Sequence, residues 1–296
     1  MVSLSLYHTS HDILQLLLIN LPIWTCCLCT VGQVVHTLAE GEPVCGVTLL
    51  ADKVYVLRWK ERDQVEVYDV NNYRLQRRLT VPNFRGFADM TSCEHYSCVY
   101  IASYGGECIH RLDVQGTVTQ WAVNDQPWGV SVNAAHNVLV TCRDVRKIKE
   151  FRSHGDLLRE LTLPDDVISP SHVIQTRNGE FIVCHGDRDD AVHRVCKNSP
   201  DGRHIIKSHG GQRGSDIGQY DMPRHLTVDN NEFVFVADFY NQRVTLLSPT
   251  LDYIRKIVSR DDLKWRPDRL CLDTHRRRLY VTDNEGFAGR VVVYSV

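Results

Sequence analysis

The sequence lacks the features that would mark it as a binder of polyanions or as an enzyme of a common type. Its 34 Lys and Arg residues face 36 Asp and Glu residues, and a formal net charge of −2 gives no global attraction to nucleic acid or membrane. No P-loop, Ser-His-Asp arrangement or paired-carboxylate motif stands out. The one Cys-x-x-Cys spacing, in Cys26-Cys27-Leu28-Cys29, has no second cluster beside it, so no zinc site of this kind and no cofactor are predicted.

The eleven cysteines are an odd number, which does not suit a complete disulfide framework. Most lie inside predicted strands, where cysteine behaves as a small buried hydrophobe. The prediction is therefore reduced core thiols and a cytoplasmic location, since disulfides are rare in that compartment. One exception stays open, a disulfide between Cys93 and Cys98 across a single strand-connecting turn.

An apolar segment precedes the patterned part of the chain and divides it into residues 1–31 and residues 32–296. Residues 13–31 suit a secretory signal or a membrane anchor by composition. No Lys or Arg precedes Asp12, however, and Pro22 interrupts the run before it reaches the ~20 residues of a membrane span. A signal, an anchor and a stretch that is not native to the rest of the chain all remain open, so secretion or membrane anchoring is the alternative to a cytoplasmic location.

A short phrase recurs six times, at intervals of about 40 to 50 residues, and opens each of six repeats. A second apolar run follows each phrase, then a run that alternates, then a run that is more charged. Runs of β-branched and aromatic residues bounded by Asn, Asp or Gly predict strands, and a charged last strand suits an exposed edge. The opening phrases are Val44-Cys45-Gly46-Val47, Phe84-Arg85-Gly86-Phe87, Pro127-Trp128-Gly129-Val130, Pro170-Ser171-His172-Val173, Pro223-Arg224-His225-Leu226 and Pro267-Asp268-Arg269-Leu270.

Four strands per repeat predict an all-β chain that folds as a six-bladed β-propeller of four-stranded blades. The last repeat supplies three strands, since the sequence stops at Val296. Residues Gln33 to Leu38 match the fourth-strand pattern, so they are expected to pair with the last blade and close the ring. The fourth repeat is longer than the others, and its extra residues, Ser199 to Ser215, are expected to form a protruding loop.

The fifth repeat carries the sharpest local motif, and it resembles an NHL repeat with Tyr220 in place of the usual Phe. Through repeat period and strand order the resemblance covers residues 31–296. Asp238, Asn241 and Arg243 are expected to fix the turn between the second and third strands of the blade. The segments that carry the resemblance are Gly218-Gln219-Tyr220-Asp221-Met222-Pro223 and Val236-Ala237-Asp238-Phe239-Tyr240-Asn241-Gln242-Arg243-Val244.

The second and third residues of each opening phrase are expected to line one mouth of the central channel. Cationic and aromatic residues are frequent there, which suits phosphate contacts with base stacking or contacts with acidic peptides. The competing explanation is that Arg85, Arg224 and Arg269 are solvated or pair locally with Asp89, Asp229 and Asp268. The predicted partner-binding residues are Arg85, Trp128, Arg224, His225, Arg269 and His172.

The resemblance to NHL propellers implies a non-catalytic scaffold. Similar propellers form the C-terminal part of tripartite-motif proteins, where one face binds RNA stem-loops or protein partners. The leading prediction is therefore a monomeric propeller that recognises a protein or a structured RNA and has no small-molecule substrate. In those proteins a RING domain carries ubiquitin-ligase activity, and this sequence contains no RING, so a fragment of a ubiquitin ligase is the first alternative.

A secreted zinc-dependent lyase is the second alternative. One branch of NHL-like propellers cleaves peptidyl-hydroxyglycine with zinc held by three channel histidines, and His172 and His225 occupy matching positions in adjacent blades. Two histidines without a third ligand seldom form a catalytic zinc site, so neither a catalytic residue nor a bound metal is predicted. The matching positions in the other four repeats hold Gly46, Gly86, Gly129 and Arg269.

Overall fold

The computed structural model of the protein describes residues 32–59, 64–86 and 88–296, and the predicted extension at 1–31 lies outside the described residues. In the described ranges the chain forms six antiparallel sheets of four strands each. No helix in those ranges is long and apolar enough to cross a membrane.

The first five sheets follow the chain order, and the sixth combines its last three strands with its first. The first sheet consists of β2 (Val44–Leu50), β3 (Lys53–Arg58), β4 (Gln64–Asp69) and β5 (Leu75–Thr80); the second of β6 (Ala88–Cys93), β7 (Cys98–Ser103), β8 (Cys108–Asp113) and β9 (Val118–Ala122); the third of β10 (Pro127–Val132), β11 (Val138–Cys142), β12 (Lys147–Phe151) and β13 (Leu157–Thr162). The fourth consists of β14 (Pro170–Gln175), β15 (Phe181–His185), β16 (Val192–Asn198) and β17 (Ile205–Gln212); the fifth of β18 (Pro223–Val228), β19 (Val234–Asp238), β20 (Arg243–Leu247) and β21 (Tyr253–Val258); the sixth of β22 (Arg266–Asp273), β23 (Arg278–Glu285), β24 (Ala288–Ser295) and β1 (Gln33–Gly41).

The six sheets are blades arranged around a ring. Each innermost strand, β2, β6, β10, β14, β18 or β22, contacts the innermost strand of the next blade, and β22 contacts β2. The outermost strand of the sixth blade is β1, which pairs antiparallel with β24 so that Leu38 lies opposite Val291. The predicted six-bladed propeller and its closure by an N-terminal strand are therefore confirmed.

The core lies between neighbouring blades. Leu57 and Val65 of the first blade share one buried cluster with Met90 and Ile101 of the second. The outermost strand β5, by contrast, exposes almost every residue. The grading from apolar to charged along each repeat thus follows the distance of each strand from the channel.

The cysteines of the described residues are free thiols, and all of them except the partly exposed Cys271 are buried. This agrees with the predicted core thiols. Cys93 and Cys98 lie opposite each other in the β6–β7 ladder, and they too are free thiols, so the disulfide left open above is not formed.

The opening phrase of the second repeat was misplaced by the sequence pattern. Strand β6 begins at Ala88, and Asp89 pairs with Ala102 at the position that His172 occupies in the fourth blade. Phe84 and Gly86, which resemble an opening phrase, precede the strand. Phe84 is buried in the cluster between the first two blades, so its apolar character reflects packing and not a strand position. Asp89 is therefore the channel residue of this blade.

The protruding loop predicted for Ser199 to Ser215 is also largely wrong. Ile205 to Gln212 form the outermost strand β17, which pairs along its length with β16. Glycine and histidine in this stretch indicated a loop, but an outer strand makes ladder hydrogen bonds on one side only and tolerates such residues. A positive φ of 99° at Gly210 marks the local irregularity.

The predicted turn-fixing triplet is confirmed in geometry. The buried Asp238 carboxylate accepts hydrogen bonds from Asn241 Nδ2 at 2.8 Å, from Arg243 Nε at 2.7 Å and from the Asp221 backbone N–H at 2.8 Å. Arg243 also donates to the carbonyl oxygen of Gln219 at 2.6 Å. The triplet thus fastens the β19–β20 turn to the loop that enters the blade.

Candidate functional site

Four buried side chains converge inside the channel, each from the corresponding position of a different innermost strand. Asp89 is 1 % exposed. Its Oδ1 atom lies 3.0 Å from Arg269 Nε and 3.4 Å from His225 Nε2, and its Oδ2 atom lies 3.6 Å from His172 Nε2. The backbone N–H of Val130 donates to Oδ2 at 2.9 Å. We refer to Asp89, His172, His225 and Arg269 as the channel cluster.

The two imidazole rings of the channel cluster pack against each other, with centroids 3.8 Å apart and planes inclined by 31°. Burial, followed by the proximity of His225, lowers the pKa of His172 to about 3. The backbone N–H of Leu270 donates to His225 Nδ1 at 3.3 Å, and His172 Nε2 lies 3.3 Å from the carbonyl oxygen of Val130. Backbone groups of neighbouring strands therefore hold both rings in place.

The charges of the channel cluster are balanced. Burial by itself raises the pKa of Asp89, but the neighbouring His225 and Arg269 side chains outweigh it and hold that pKa well below its ordinary range. Burial likewise opposes the charge of Arg269, while Asp268 and Asp89 raise its pKa. Arg269 Nη1 donates to Asp268 Oδ1 at 2.5 Å. One guanidinium is thus held between two carboxylates.

A cavity of about 300 Å³ lies at the channel mouth, where the sixth blade meets the first and the fifth. Arg224 Nε lies 3.2 Å from Asp268 Oδ1, and its guanidinium carbon lies 4.5 Å from the centroid of Phe239. The guanidinium of Arg266 lies 5.6 Å from the same ring and 5.1 Å from that of Tyr240. We call this cavity the mouth pocket; it is lined by Pro43, Val44, Cys45, Trp59, Arg224, Phe239, Arg266, Asp268, Arg269, Asn284, Glu285 and Gly286.

A second pair of arginine and aromatic side chains is built around Trp128, at the start of β10. The guanidinium carbon of Arg143 lies 4.5 Å above the ring of Trp128, and Tyr104 packs edge-on against that ring. Arg143 also pairs with Asp187. Burial, and next the charge of Arg224, lowers the pKa of Arg143.

The structure separates the six predicted partner-binding residues into three groups. Trp128 and Arg224 lie at the channel mouth, as expected. His172, His225 and Arg269 are buried in the channel cluster below it, each at most a few per cent exposed. Arg85 lies outside the channel, exposed in the loop before β6, where its backbone bonds to the Ser103 hydroxyl.

The sequence reasoning missed Asp89, Phe239 and Arg266 as members of these sites. Asp89 could have been identified from the sequence. If the second opening phrase is moved three residues toward the C-terminus, Asp89 takes its third position, which His172 and His225 hold in their repeats. Phe239 follows Asp238 of the fifth blade, and Arg266 directly precedes the sixth phrase. The contact between them depends on how the fifth and sixth blades meet, and no local pattern encodes it.

The zinc of the lyase alternative would have to be held by residues of the channel cluster. Asp89, His172 and His225 each offer a ligand atom within 4.8 Å of the others, and no other such group of three occurs among the described residues. The guanidinium of Arg269 lies 3.0 Å from the same carboxylate, however. A divalent cation would be repelled there by a fixed positive charge in a buried site, so the present side chains do not fit the metal.

Comparisons with known proteins identify the fold and no family. No protein-family model matches the chain, and no curated protein matches its sequence. A streptogramin B lyase structure is similar in fold, with a TM-score of 0.63, 10 % identity, and coverage of 86 % of this chain and 97 % of that one.

Two further solved structures are similar in the same way. Hydrazine synthase from Kuenenia stuttgartiensis gives a TM-score of 0.62 at 12 % identity, covering 89 % of this chain and 98 % of that one. The Cps50 (Swd1) β-propeller domain of Myceliophteria thermophila gives 0.58 at 13 % identity, covering 90 % and 99 %. Identities this low show a shared fold alone, and the chain is accordingly a six-bladed β-propeller.

Proposed function

We propose that this propeller is a non-catalytic recognition module that docks a protein partner on the end of the ring that carries the mouth pocket. The observation that carries the proposal is the packing of arginine guanidiniums on aromatic rings around the mouth, at Phe239 and at Trp128. Arg, Trp and Tyr dominate the energetically important centres of protein interfaces.

Exposed apolar side chains at the same end support the proposal. Phe287 is 82 % exposed on the β23–β24 turn, next to pocket residues Glu285 and Gly286. Ile217 is 76 % exposed on the loop that leads into β18. Large exposed apolar groups beside a polar recess are typical of protein-docking surfaces.

A protein partner is favoured over structured RNA by the charges around the mouth. Arg224, Arg269 and Arg143 are each paired with a carboxylate, so they offer little net charge to a phosphate backbone. The neighbouring loops add further acidic groups, at Asp165, Asp166, Asp189 and Asp261.

Kinship with NHL propellers remains part of the proposal, and it rests on the fifth blade. The ion pair between Asp238 and Arg243 and the hydrogen bond from Asn241 give that segment a physical reason for its motif. The scaffold role, the monomeric state and a cytoplasmic location, in keeping with the free thiols, are proposed together with it. Ubiquitin-ligase activity would need a RING domain, which these 296 residues do not contain.

A zinc-dependent lyase is the second candidate, since lyases occur among the structures of similar fold and the channel holds His172, His225 and Asp89. The guanidinium of Arg269 argues against a zinc site, because its positive charge lies 3.0 Å from the Asp89 carboxylate. Metal analysis of the purified full chain tests both points: the wild type is expected to carry no stoichiometric zinc, while Arg269→Ala, which removes the competing cation, is expected to gain zinc affinity. Stoichiometric zinc in the wild type would overturn the non-catalytic assignment.

The docking face is tested by photo-cross-linking in cells. A photoreactive phenylalanine analogue is placed at Phe287, at the mouth end, or at Tyr96, which is exposed on the β6–β7 turn at the opposite end. Cross-links to protein are expected to concentrate at position 287. Equal or stronger cross-linking at position 96 would refute the proposed face.

Recognition of RNA, the alternative to a protein partner, is tested separately by titrating the full chain with a structured RNA at two salt concentrations. Replacement of Arg85, Arg224 and Arg269 by alanine should then lower both the affinity and the salt dependence. If neither changes, RNA recognition through these arginines is refuted.

A further inference from the structure

We infer that the mouth pocket binds a carboxylate side chain from an acidic peptide segment of the partner, held by Arg224 and Arg266 in the place that Glu285 now shields. The inference rests on the proposed docking function and names the chemistry that the partner must present.

Two guanidiniums share one aromatic ring in this pocket. The guanidinium carbons of Arg224 and Arg266 lie 4.5 and 5.6 Å from the centroid of Phe239. Guanidinium groups stacked on a ring keep their N–H groups directed outward in their own plane, where they can form paired hydrogen bonds with a carboxylate. The ring thus fixes two cations side by side before any ligand arrives.

The carboxylate that now faces Arg266 is a poor partner for it. Arg266 Nη2 lies 3.8 Å from Glu285 Oε1, which is beyond hydrogen-bond distance, and the two side chains are 35 % and 56 % exposed. An exposed pair of this kind contributes little and is screened by salt. Glu285 lies on the exposed β23–β24 turn, so a ligand carboxylate can replace it at small cost.

Arg224 shares its carboxylate partner, Asp268, with Arg269. Asp268 Oδ1 lies 3.2 Å from Arg224 Nε, but the same oxygen accepts the hydrogen bond from Arg269 Nη1 at 2.5 Å. The side chain of Arg224 is 12 % exposed, and burial is the largest influence that lowers its pKa. A second carboxylate in the pocket would stabilise this buried cation.

The size and surroundings of the pocket favour a peptide over a nucleic acid. A volume of about 300 Å³ is at the small end of ligand pockets and fits one acidic side chain, whose methylene groups can pack on Trp59 and Val44. A nucleic acid would need several cations in a row to follow its phosphates, whereas the rim here includes Asp268 and Glu285.

The test is fluorescence anisotropy of the full chain with a capped, labelled peptide of four glutamates, and with a matching peptide of four glutamines. Salt-dependent binding of the glutamate peptide alone is expected. Arg266→Gln should weaken it about tenfold, and Glu285→Gln should tighten it roughly two- to fivefold, because a competing carboxylate is lost. Arg146→Gln, which changes an exposed arginine at the same end of the ring, is the matched control and should have no effect.

Several results would overturn the inference: no binding of the glutamate peptide, equal binding of the glutamine peptide, or a Glu285→Gln variant that binds no more tightly. A structured RNA that displaces the peptide and depends equally on Arg266 would also overturn it, in favour of phosphate recognition. If cross-linking at position 287 persists while the peptide does not bind, the proposed docking face is retained and recognition of a carboxylate is refuted. If neither is observed, both proposals are refuted.

Discussion

Acidification should destabilise the folded propeller through His172, because the channel holds this side chain in its neutral form. Its pKa in the folded chain is lowered to about 3 by burial, then by the proximity of His225, although Asp89 acts in the opposite direction. In the unfolded chain a histidine titrates at its ordinary pKa of about 6.5. Below pH 6.5 the unfolded chain therefore binds a proton that the folded chain does not, and stability falls as the pH falls, until about pH 3.

The size of the loss in unfolding free energy follows from the pKa values of His172 in the folded and the unfolded chain. At pH 5 the unfolded-state histidine is almost fully protonated, one and a half pH units below its pKa, while the folded-state histidine is still neutral. At about 1.4 kcal/mol per unit, the loss relative to pH 8 is about 2 kcal/mol from His172 alone. Asp89 stays charged across this range because its pKa is held far below its ordinary value, so it does not offset the loss.

The assay is urea unfolding of the wild type and of His172→Gln, followed by tryptophan fluorescence at pH 8 and at pH 5. Whatever its stability at pH 8, the variant should lose about 2 kcal/mol less than the wild type between the two pH values. His275→Gln, a change at an exposed histidine, is the control and should lose as much as the wild type. Equal losses in the wild type and in His172→Gln would show that the channel does not hold His172 neutral.

Three further outcomes test the fold. Deletion of Gln33–Gly41 should lower the thermal midpoint and broaden the transition, because it opens the ring and removes the buried Leu38, a loss of at least about 2–5 kcal/mol; an unchanged melt would refute closure. Gly129→Ala places Cβ 2.5 Å from a backbone oxygen of the next blade and should cost about 1–3 kcal/mol in urea unfolding, whereas Gly211→Ala, which meets nothing within 4 Å, should be nearly neutral. Arg243→Gln leaves the fully buried Asp238 without its ion pair and should cost about 3–5 kcal/mol, with Arg243→Lys restoring only part of it; equal stability of all three forms would contradict the turn-fixing role.

The repeat pattern predicted the fold because a propeller blade is a local unit. Each strand packs on its sequence neighbours, so strand order, blade number and the closing strand Gln33–Gly41 can be inferred from periodicity. The second blade shows where prediction from periodicity fails. Phe84 is as apolar as a strand residue and Gly86 resembles the glycines of other phrases, yet both precede the strand, and Asp89 was passed over. A one-dimensional pattern cannot separate an apolar residue that opens a strand from one that fills the seam between two blades.

The candidate site was predicted less completely, because its chemistry depends on which charges meet across blades. The opening phrases correctly indicated that Arg224 and Trp128 reach the mouth. They could not show that Arg269 turns inward to Asp89, since the two residues are 180 positions apart and belong to blades that are not adjacent in sequence. The competing explanation, that arginines pair with nearby aspartates, holds for Arg269 with Asp268, whereas Arg224 also pairs with Asp268 and not with the expected Asp229. Arg269 also pairs with Asp89, whose position in strand β6 the sequence pattern did not predict.

The channel cluster bears on the proposed function because its four side chains lie where the innermost strands converge. In a propeller the innermost strands of the blades surround a central channel. Here four of those strands contribute Asp89, His172, His225 and Arg269, and the Asp89 carboxylate lies 3.0 to 3.6 Å from the other three side chains. The guanidiniums of Arg224 and Arg266 lie at the mouth instead, in the pocket that we propose receives an acidic segment of the partner.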